Sequence, residues 1–236
     1  MPIDPDTRLF FLHVMKTAGT TFRGHIDANF APEQVFPQPG VDEPLFAAKA
    51  DIRYLQDMPT ERMAQLRMIS AHIPIGLTDR LGIDFTYLTL LRDPVDRTLS
   101  WLRQRQRNHQ PDESLHQIYE QQTILRANYI DDHQVKQFAI TADDGAVNHL
   151  HPVVMDDQRM AIAKANLERV AVVGFQDGLD AFLGQLHERY GWTVATVPDR
   201  NVREDPTPAP TALRRQIDDE NPWDRAFYEH ARATRG

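Results

Sequence analysis

The sequence contains no cysteine among its 236 residues. A disulfide framework, a thiolate zinc site and a cysteine nucleophile are therefore excluded. Long apolar runs are also missing, because no segment approaches the roughly 18 apolar residues that a membrane-spanning helix needs. The N-terminus has no basic segment ahead of an apolar run, so the sequence predicts no signal peptide. We therefore expect a cytoplasmic protein that has no integral membrane segment.

Positive charge is scarce in the chain. Lys and Arg together number 26 against 34 Asp and Glu, which gives a formal net charge of −8. Such acidity argues against general nucleic-acid binding, although it is compatible with a local basic cleft. We predict no nucleic-acid partner. Hydrophobic residues make up 41% of the chain, which excludes an intrinsically disordered protein.

Short apolar runs alternate with longer amphipathic segments along the chain. The short runs predict buried strands at Leu9–Val14, Arg67–His72, Phe85–Leu91 and Val170–Gly174. The longer segments predict helices at Thr20–Asn29, Thr60–Leu66, Pro94–Gln106, Ser114–Asn128, Asp132–Ala139, Asp156 or Asp157 to Glu168, Gln176–Tyr190, Thr211–Asp219 and Trp223–Ala233. Thr60 is the expected N-cap of its helix. Proline-rich loops are expected at Ala31–Pro44 and Pro198–Pro210.

This alternation of strand, turn and helix predicts an α/β fold. The chain length is that of one large domain or two small ones at about 150 residues per domain. We predict a single domain over residues 1–236, with a mostly parallel central sheet and helices on both of its faces.

Small residues stand where the first strand turns into the first helix, in the segment MKTAGTT at 15–21. Backbone N–H groups at a helix start form an anion cradle, because they point at the ligand and the helix dipole favours negative charge. Lys16 adds a mobile positive charge, and Thr17, Thr20 and Thr21 add hydroxyl donors. A nucleoside-triphosphate loop would place the glycine before the lysine, which is not the order here. A tight turn capped by threonines is the alternative interpretation.

A second segment of interest is LRDPVDRTLS at 91–100. Arg92 follows a buried strand at its carboxyl end, where ligands bind in open α/β sheets. Its guanidinium suits bidentate phosphate binding, and Ser100 lies two helical turns further on. The alternative is a surface ion pair between Arg92 and Asp96, which would contribute well under about 1 kcal/mol.

Together the two segments resemble a known family. FFLHVMKTAGTTF is similar to the 5′-phosphosulfate loop of sulfotransferases that use 3′-phosphoadenosine 5′-phosphosulfate (PAPS), and YLTLLRDPVDRTLSWL resembles their 3′-phosphate-binding strand and helix. The resemblance is to the carbohydrate branch that includes heparan sulfate 2-O-sulfotransferase. Further similar segments follow in the family's order: SAHIPIGL, DHQVKQF, VAVVGFQDGLDAFLGQL, DRNVRE and NPWDRAFYEHA. The resemblance implies a sulfotransferase fold like that of the P-loop nucleotide hydrolases.

The resemblance also implies a role for each matching residue. Lys16 would contact the 5′-sulfophosphate and stabilise the charge that develops on the bridging oxygen. His72 would be the base that accepts the proton of the acceptor hydroxyl. The residues implied in binding PAPS, or the product adenosine 3′,5′-bisphosphate (PAP), are His13, Lys16, Thr17, Ala18, Gly19, Thr20, Thr21, Arg92, Ser100, Asn201, Val202 and Arg203. The resemblance implies no metal.

This sequence departs from the family's pattern at three positions. Met15 replaces a proline before the loop lysine, His13 replaces an arginine, and Ser70 replaces a second histidine. These changes bear on the shape of the turn and on one phosphate contact, and they leave His72 without its histidine partner.

We therefore predict sulfuryl transfer from PAPS to a hydroxyl-bearing acceptor, with a carbohydrate favoured by the resemblance. A tyrosine or a small-molecule or lipid hydroxyl stays open as acceptor. A nucleotide-binding module that has lost the chemistry is the main alternative, and a small-molecule kinase is a weaker one.

Other residues fit structural roles better than functional ones. Arg97, Arg103, Arg105 and Arg107 are expected on a solvated helix face, with contact to an anionic acceptor as the alternative. His149 and His151 alternate as metal ligands can, but two histidines without a third ligand are thin evidence for a metal site. Core packing is expected of Trp101, Phe138 and Trp192.

Overall fold

A computed structural model describes residues 7–121, 123–194 and 208–236. Five parallel strands form one sheet in the order β2-β3-β1-β4-β5. The strands are β1 (Leu9–Leu12), β2 (Val35–Phe36), β3 (Met68–Ala71), β4 (Thr86–Leu91) and β5 (Val170–Phe175). The predicted α/β fold with a parallel central sheet is therefore confirmed.

Helices connect the strands and complete the C-terminal part of the chain. They are α1 (Gly19–Asn29), α2 (Leu45–Ala50), α3 (Arg53–Gln56), α4 (Thr60–Gln65), α5 (Pro94–His109), α6 (Leu115–Gln121), α7 (Thr123–Tyr129), α8 (His133–Ala139), α9 (Asp157–Glu168), α10 (Leu179–Tyr190), α11 (Thr211–Asp219) and α12 (Pro222–Arg235). Short 3₁₀ turns lie at Pro32–Gln34, Ile75–Leu81, Ala142–Asp144 and Gln176–Gly178. Within the described ranges, no helix is both long and apolar enough to cross a membrane.

Both faces of the sheet are buried under helices. Phe10 and Leu12 of β1 pack on one side with residues of α8, α9 and α12, whereas Leu9 and Phe11 pack on the other with residues of α1 and α10. This explains why the first strand is apolar at every position, as strands buried on both faces are. Trp101, Phe138 and Trp192 are buried, which confirms the core packing predicted for them.

The strand register determines which segments meet at the sheet edge. Leu12, the last residue of β1, pairs with Ala71 at the end of β3 and with Thr89 near the end of β4. Because the strands are parallel, the residues that follow them leave the sheet on the same side. The segments that begin at His13, His72 and Arg92 are therefore neighbours in space.

Several predicted boundaries differ from the structure. The loop expected at Ala31–Pro44 contains β2, whose two residues are too few to show a strand pattern. Helices α2 and α3 were not predicted at all. Thr60 is the first residue of α4 rather than its cap, because Pro59 occupies the N-cap position and no side chain caps this helix. Asp156 does cap α9, since its side chain accepts a hydrogen bond from the backbone N–H of Arg159.

Candidate active site

The segments that follow β1, β3, β4 and β5 border one cleft of about 1080 Å³ at the carboxyl edge of the sheet. The predicted site residues in its lining are His13, Lys16, Ala18, Gly19, Thr20, Thr21, His72, Arg92 and Ser100. Asn201, Val202 and Arg203 lie outside the described residues. The structure thus brings both predicted phosphate-binding segments and the predicted base to one cleft.

The loop after β1 has an unusual backbone. Lys16 and Ala18 have positive φ angles of 71° and 74°, in the left-handed region that costs a side-chain-bearing residue about 1–3 kcal/mol. Helix α1 begins directly afterwards at Gly19, with Ala18 as its N-cap and no capping side chain. The threonine-capped turn considered as an alternative is therefore wrong. The first N–H groups of α1 have no partner within the helix and are available for an anion.

Gly19 lies against the imidazole of His13. A Cβ atom built on Gly19 would lie 1.9 Å from His13 Nε2, far inside van der Waals contact. Any larger residue at this position would therefore displace the His13 ring. Burial, followed by the nearby charges of His72, Lys49 and Lys16, holds the pKa of His13 well below its ordinary value, so this ring is neutral at pH 7.

Thr17 does not line the cleft. Its side chain is fully buried, and Oγ1 donates to the carbonyl oxygen of Val14 at 2.8 Å. The prediction that this hydroxyl binds phosphate does not fit, because its proton is used to close the loop. Thr20 and Thr21 do line the cleft, so their hydroxyls remain candidates for that role.

Positive charge collects in this cleft although the whole chain is acidic. Its described cations are Lys16, Lys49, Arg92 and Arg107. Its carboxylates lie on the segment after β5, and one of them, Asp177, is already paired with Arg232. Burial and the charges of Arg107 and Arg92 lower the pKa of Lys16, whose Nζ donates to Gln104 Oε1 at 3.0 Å. This is the local basic cleft that the sequence allowed for.

Arg92 connects the two predicted phosphate-binding segments. Its Nη1 donates to the carbonyl oxygen of Lys16 at 3.3 Å, and its buried Nε has no partner among the described residues. Burial lowers the pKa of Arg92 from the ordinary value, and the charges of Asp96 and Asp93 offset this only in part. The alternative prediction of a surface ion pair between Arg92 and Asp96 is wrong. The ion pair that Asp96 forms is with Arg214, at 2.9 Å.

His72 is held in one orientation by its neighbours. Its Nδ1 lies 2.6 Å from the carbonyl oxygen of His13, and its backbone N–H donates to the carbonyl oxygen of Lys49 at 2.6 Å. Because a carbonyl oxygen only accepts, Nδ1 carries the proton and Nε2 keeps its lone pair. Burial lowers the pKa of His72 to about 4, so the imidazole is neutral at pH 7. A neutral ring with a fixed tautomer can accept a proton at Nε2.

A family model described as "Sulfotransferase family" matches residues 1–150, which contain the loop, His72 and the Arg92 segment. The chain belongs to the sulfotransferase family. Sulfuryl transfer is therefore its class of reaction, as the sequence predicted. Comparison with the curated proteins finds no match.

Two further histidines of the sulfotransferase, His149 and His133, form a row of ring contacts that starts at the predicted base His72. His149 is 4% exposed, and its ring centroid lies 5.9 Å from that of His72 and 5.9 Å from that of His133. Burial and the proximity of His72 lower the pKa of His149 to about 3. In the part of the chain that the structure describes, no group of three or more His, Asp or Glu side chains is placed to hold a metal ion.

Sequence reasoning missed several residues that line the cleft of this sulfotransferase. Gln104, Arg107 and Asn108 share a helix face with Ser100, and their spacing along α5 could have revealed them. Lys49 gave no such signal, because α2 was not predicted. Arg97 was expected on a solvated face, but it is fully buried and its Nη2 donates to two backbone carbonyl oxygens near the end of α7.

Proposed function

We propose that this sulfotransferase moves the sulfuryl group from PAPS to a hydroxyl of a carbohydrate and releases PAP. In this reaction the acceptor oxygen forms a bond to sulfur, the bond from sulfur to the bridging phosphate oxygen breaks, and the hydroxyl proton passes to His72. The observation that carries the proposal is the junction of the two phosphate-binding segments, with Arg92 Nη1 on the carbonyl oxygen of Lys16 at 3.3 Å.

The donor side of the proposal rests on unpaired hydrogen-bond donors. The start of α1 offers backbone N–H groups to the 5′-phosphosulfate, and Lys16 stabilises the charge that develops on its bridging oxygen. Arg92 and Ser100 bind the 3′-phosphate, and this role is supported by Arg92 Nε, which has no partner in the part of the chain that the structure describes. Roles for Asn201, Val202 and Arg203, a single domain over residues 1–236 and a cytoplasmic location stay predictions from the sequence.

His72 is proposed as the base because of its tautomer. The proton on Nδ1 is held by the carbonyl oxygen of His13, so Nε2 is free to take the proton of the acceptor as it attacks sulfur. The loop and the base are adjacent, since the rings of His13 and His72 lie 4.4 Å apart between centroids. No metal takes part in this proposal, because Lys16 and the helix start supply the charge stabilisation.

The acceptor is proposed to be polar. Within the described lining, the apolar side chains are Met15, Ala18, Leu179 and Ala181, and no Phe, Tyr or Trp is present. Next to the proposed base the lining offers Lys49, a cation whose backbone carbonyl oxygen accepts from the His72 N–H and which could donate to acceptor hydroxyls. This composition supports a carbohydrate over a tyrosine or a lipid hydroxyl.

A nucleotide-binding module without activity is the second candidate. It is favoured by His13, which stands where the family has an arginine and is neutral at pH 7, so that one positive charge toward the nucleotide is lost. Lys16 and Arg92 would then still hold the nucleotide, whereas the missing charge would no longer stabilise the leaving phosphate during transfer.

The experiment that separates these functions combines binding with transfer. The protein is titrated with PAP and with ATP plus Mg²⁺, and labelled PAPS is then supplied with a panel of sugars, tyrosine peptides and lipid alcohols. We expect binding of PAP and label transfer to a sugar, with the His72→Ala variant as the inactive control. Binding of PAP without transfer to any acceptor supports the inactive module, and preference for ATP contradicts the PAPS donor.

A further inference from the structure

Gln134 forms a two-point contact with the backbone of Arg92. The Arg92 N–H donates to Gln134 Oε1 at 3.0 Å, and Gln134 Nε2 donates to the Arg92 carbonyl oxygen at 2.8 Å. Gln134 belongs to α8 and is 1% exposed, so the side-chain end of both bonds is buried. Arg92 lies just beyond the end of β4. The Gln134 side chain bonds the backbone N–H and carbonyl oxygen of Arg92, as the backbone of a neighbouring strand would.

The backbone of Gln134 is itself held by a buried carboxylate. Asp224 of α12 accepts hydrogen bonds from the N–H groups of Gln134, at 3.2 Å, and Val135, at 2.7 Å. Asp132 accepts from the Asp224 N–H at 2.9 Å, and the Asp132 N–H donates to Asn221 Oδ1 at 2.8 Å. Gln134 is therefore fixed to a network of buried polar groups that joins α8 to α12.

The guanidinium of Arg92 itself makes few hydrogen bonds that would fix its orientation. Nη1 makes one long hydrogen bond of 3.3 Å, to Lys16, and the buried Nε makes none among the described residues. The direction in which this side chain enters the cleft is thus set mainly by its backbone. The Gln134 side chain holds that backbone, because it bonds both the N–H and the carbonyl oxygen of Arg92.

We propose that Gln134 is a positioning residue that orients Arg92 toward the 3′-phosphate of the nucleotide. This rests on the proposed function, which assigns the 3′-phosphate to Arg92. Gln134 touches no reacting atom, and its effect reaches the ligand through the peptide that it holds. A purely structural role, joining α8 to the sheet, would affect stability and would leave nucleotide selectivity unchanged.

The test compares two nucleotides that differ only in the 3′-phosphate. Dissociation constants of PAP and of adenosine 5′-monophosphate are measured by calorimetry for the parent and for Gln134→Leu, which removes both hydrogen bonds at similar volume. We expect the preference for PAP to fall about tenfold or more, as when a group that orients a metal ligand is removed, and affinity for the monophosphate to stay unchanged. A preference equal to that of the parent would overturn the inference.

Gln137→Leu is the matched control. Gln137 lies on the same helix and is 1% exposed, but neither atom of its side-chain amide has a partner among the described residues, so its removal should leave the preference intact. If Gln134→Leu does not fold, Gln134→Met serves instead, because it also removes both hydrogen bonds, at similar length and without adding a charge. A fall in preference with Gln134→Met supports the inference, and an unchanged preference overturns it.

The failure of the proposed function gives a different result. If the parent binds PAP no more tightly than the monophosphate, Arg92 is not on a 3′-phosphate and the proposed function fails with it. If the parent prefers PAP and the Gln134 variants keep that preference, only the positioning role fails.

Discussion

Arg92 donates from Nη1 to the carbonyl oxygen of Lys16, 3.3 Å away, and so ties the end of β4 to the loop after β1. The two residues are 76 positions apart in sequence, and each follows a buried strand of one parallel sheet. Their contact places a guanidinium and an ammonium in the same cleft. A ligand with an anionic group at each end would meet both.

Replacing Arg92 by Ala should weaken the binding of PAP far more than that of adenosine 5′-phosphosulfate, which has no 3′-phosphate. Loss of charged hydrogen bonds to a phosphate predicts a decrease of roughly 10- to 100-fold for PAP. Calorimetric dissociation constants for both ligands provide the measurement. Arg105→Ala is the control, because Arg105 lies on α5, which follows Arg92, but is not in the cleft lining. Equal losses for the two nucleotides would remove Arg92 from the 3′-phosphate.

Replacing His72 by Ala should lower turnover by roughly 100-fold or more, because the acceptor hydroxyl loses its base. The affinity for PAP should barely change, since His72 faces the acceptor in the proposed arrangement. Initial rates with labelled PAPS and calorimetry with PAP report the two quantities separately. His109→Ala, at the exposed end of α5, is the control. A His72→Ala protein with near-parental turnover would exclude His72 as the base.

The pH profile should reflect the low pKa of His72. Only the neutral imidazole accepts a proton, so kcat/KM should hold steady as pH falls and decline toward pH 4, where burial sets the pKa of His72 at about 4. The charge of Lys49 also lowers this pKa. Lys49→Met should therefore move the acid limb of kcat/KM to higher pH, whereas Lys49→Arg should leave it in place. An acid limb near the ordinary histidine value in the parent would contradict this account.

Local sequence was enough to predict which two segments the structure brings together at the cleft. A buried strand followed by small residues and a lysine, or by Arg-Asp-Pro and a helix, brings its polar groups to the carboxyl edge of the sheet whatever the rest of the chain does. Asp93 illustrates this, because its side chain caps α5 through the N–H groups of Val95 and Asp96. Such short-range contacts are encoded within a few residues.

The contacts that orient these groups could not be predicted from local sequence patterns. Gln134 meets Arg92 across 42 positions, and Asp224 meets Gln134 across 90. A glutamine on a short helix looks the same in sequence whether its side chain bonds a distant backbone, as Gln134 does, or is buried without a partner among the described residues, as Gln137 is. Arg97 shows the same limit, since the carbonyl groups that satisfy its Nη2 come from the end of α7.

The buried carboxylates behind Gln134 should make stability depend on pH. Burial and the charge of Asp224 raise the pKa of Asp132 to about 7, well above its ordinary value in the unfolded chain. Below about pH 4 this carboxyl is protonated in both states and its stabilising contribution is complete. Between about pH 4 and pH 7 the unfolded chain ionises this carboxyl while the folded protein keeps its proton, so the free energy of unfolding should decrease as pH rises over that window.

Asp132→Asn should remove this loss, so that the variant is more stable than the parent at pH 8 by roughly 1–3 kcal/mol and its stability varies less with pH. Asparagine suits the site, because it tolerates the positive φ of 47° at Asp132 and keeps an oxygen for the Asp224 N–H. Urea unfolding at pH 5 and pH 8 measures the effect, with the exposed Asp143→Asn as control. If Asp132→Asn destabilises the protein equally at both pH values, Asp132 is ionised at no cost in the fold and its pKa is not raised.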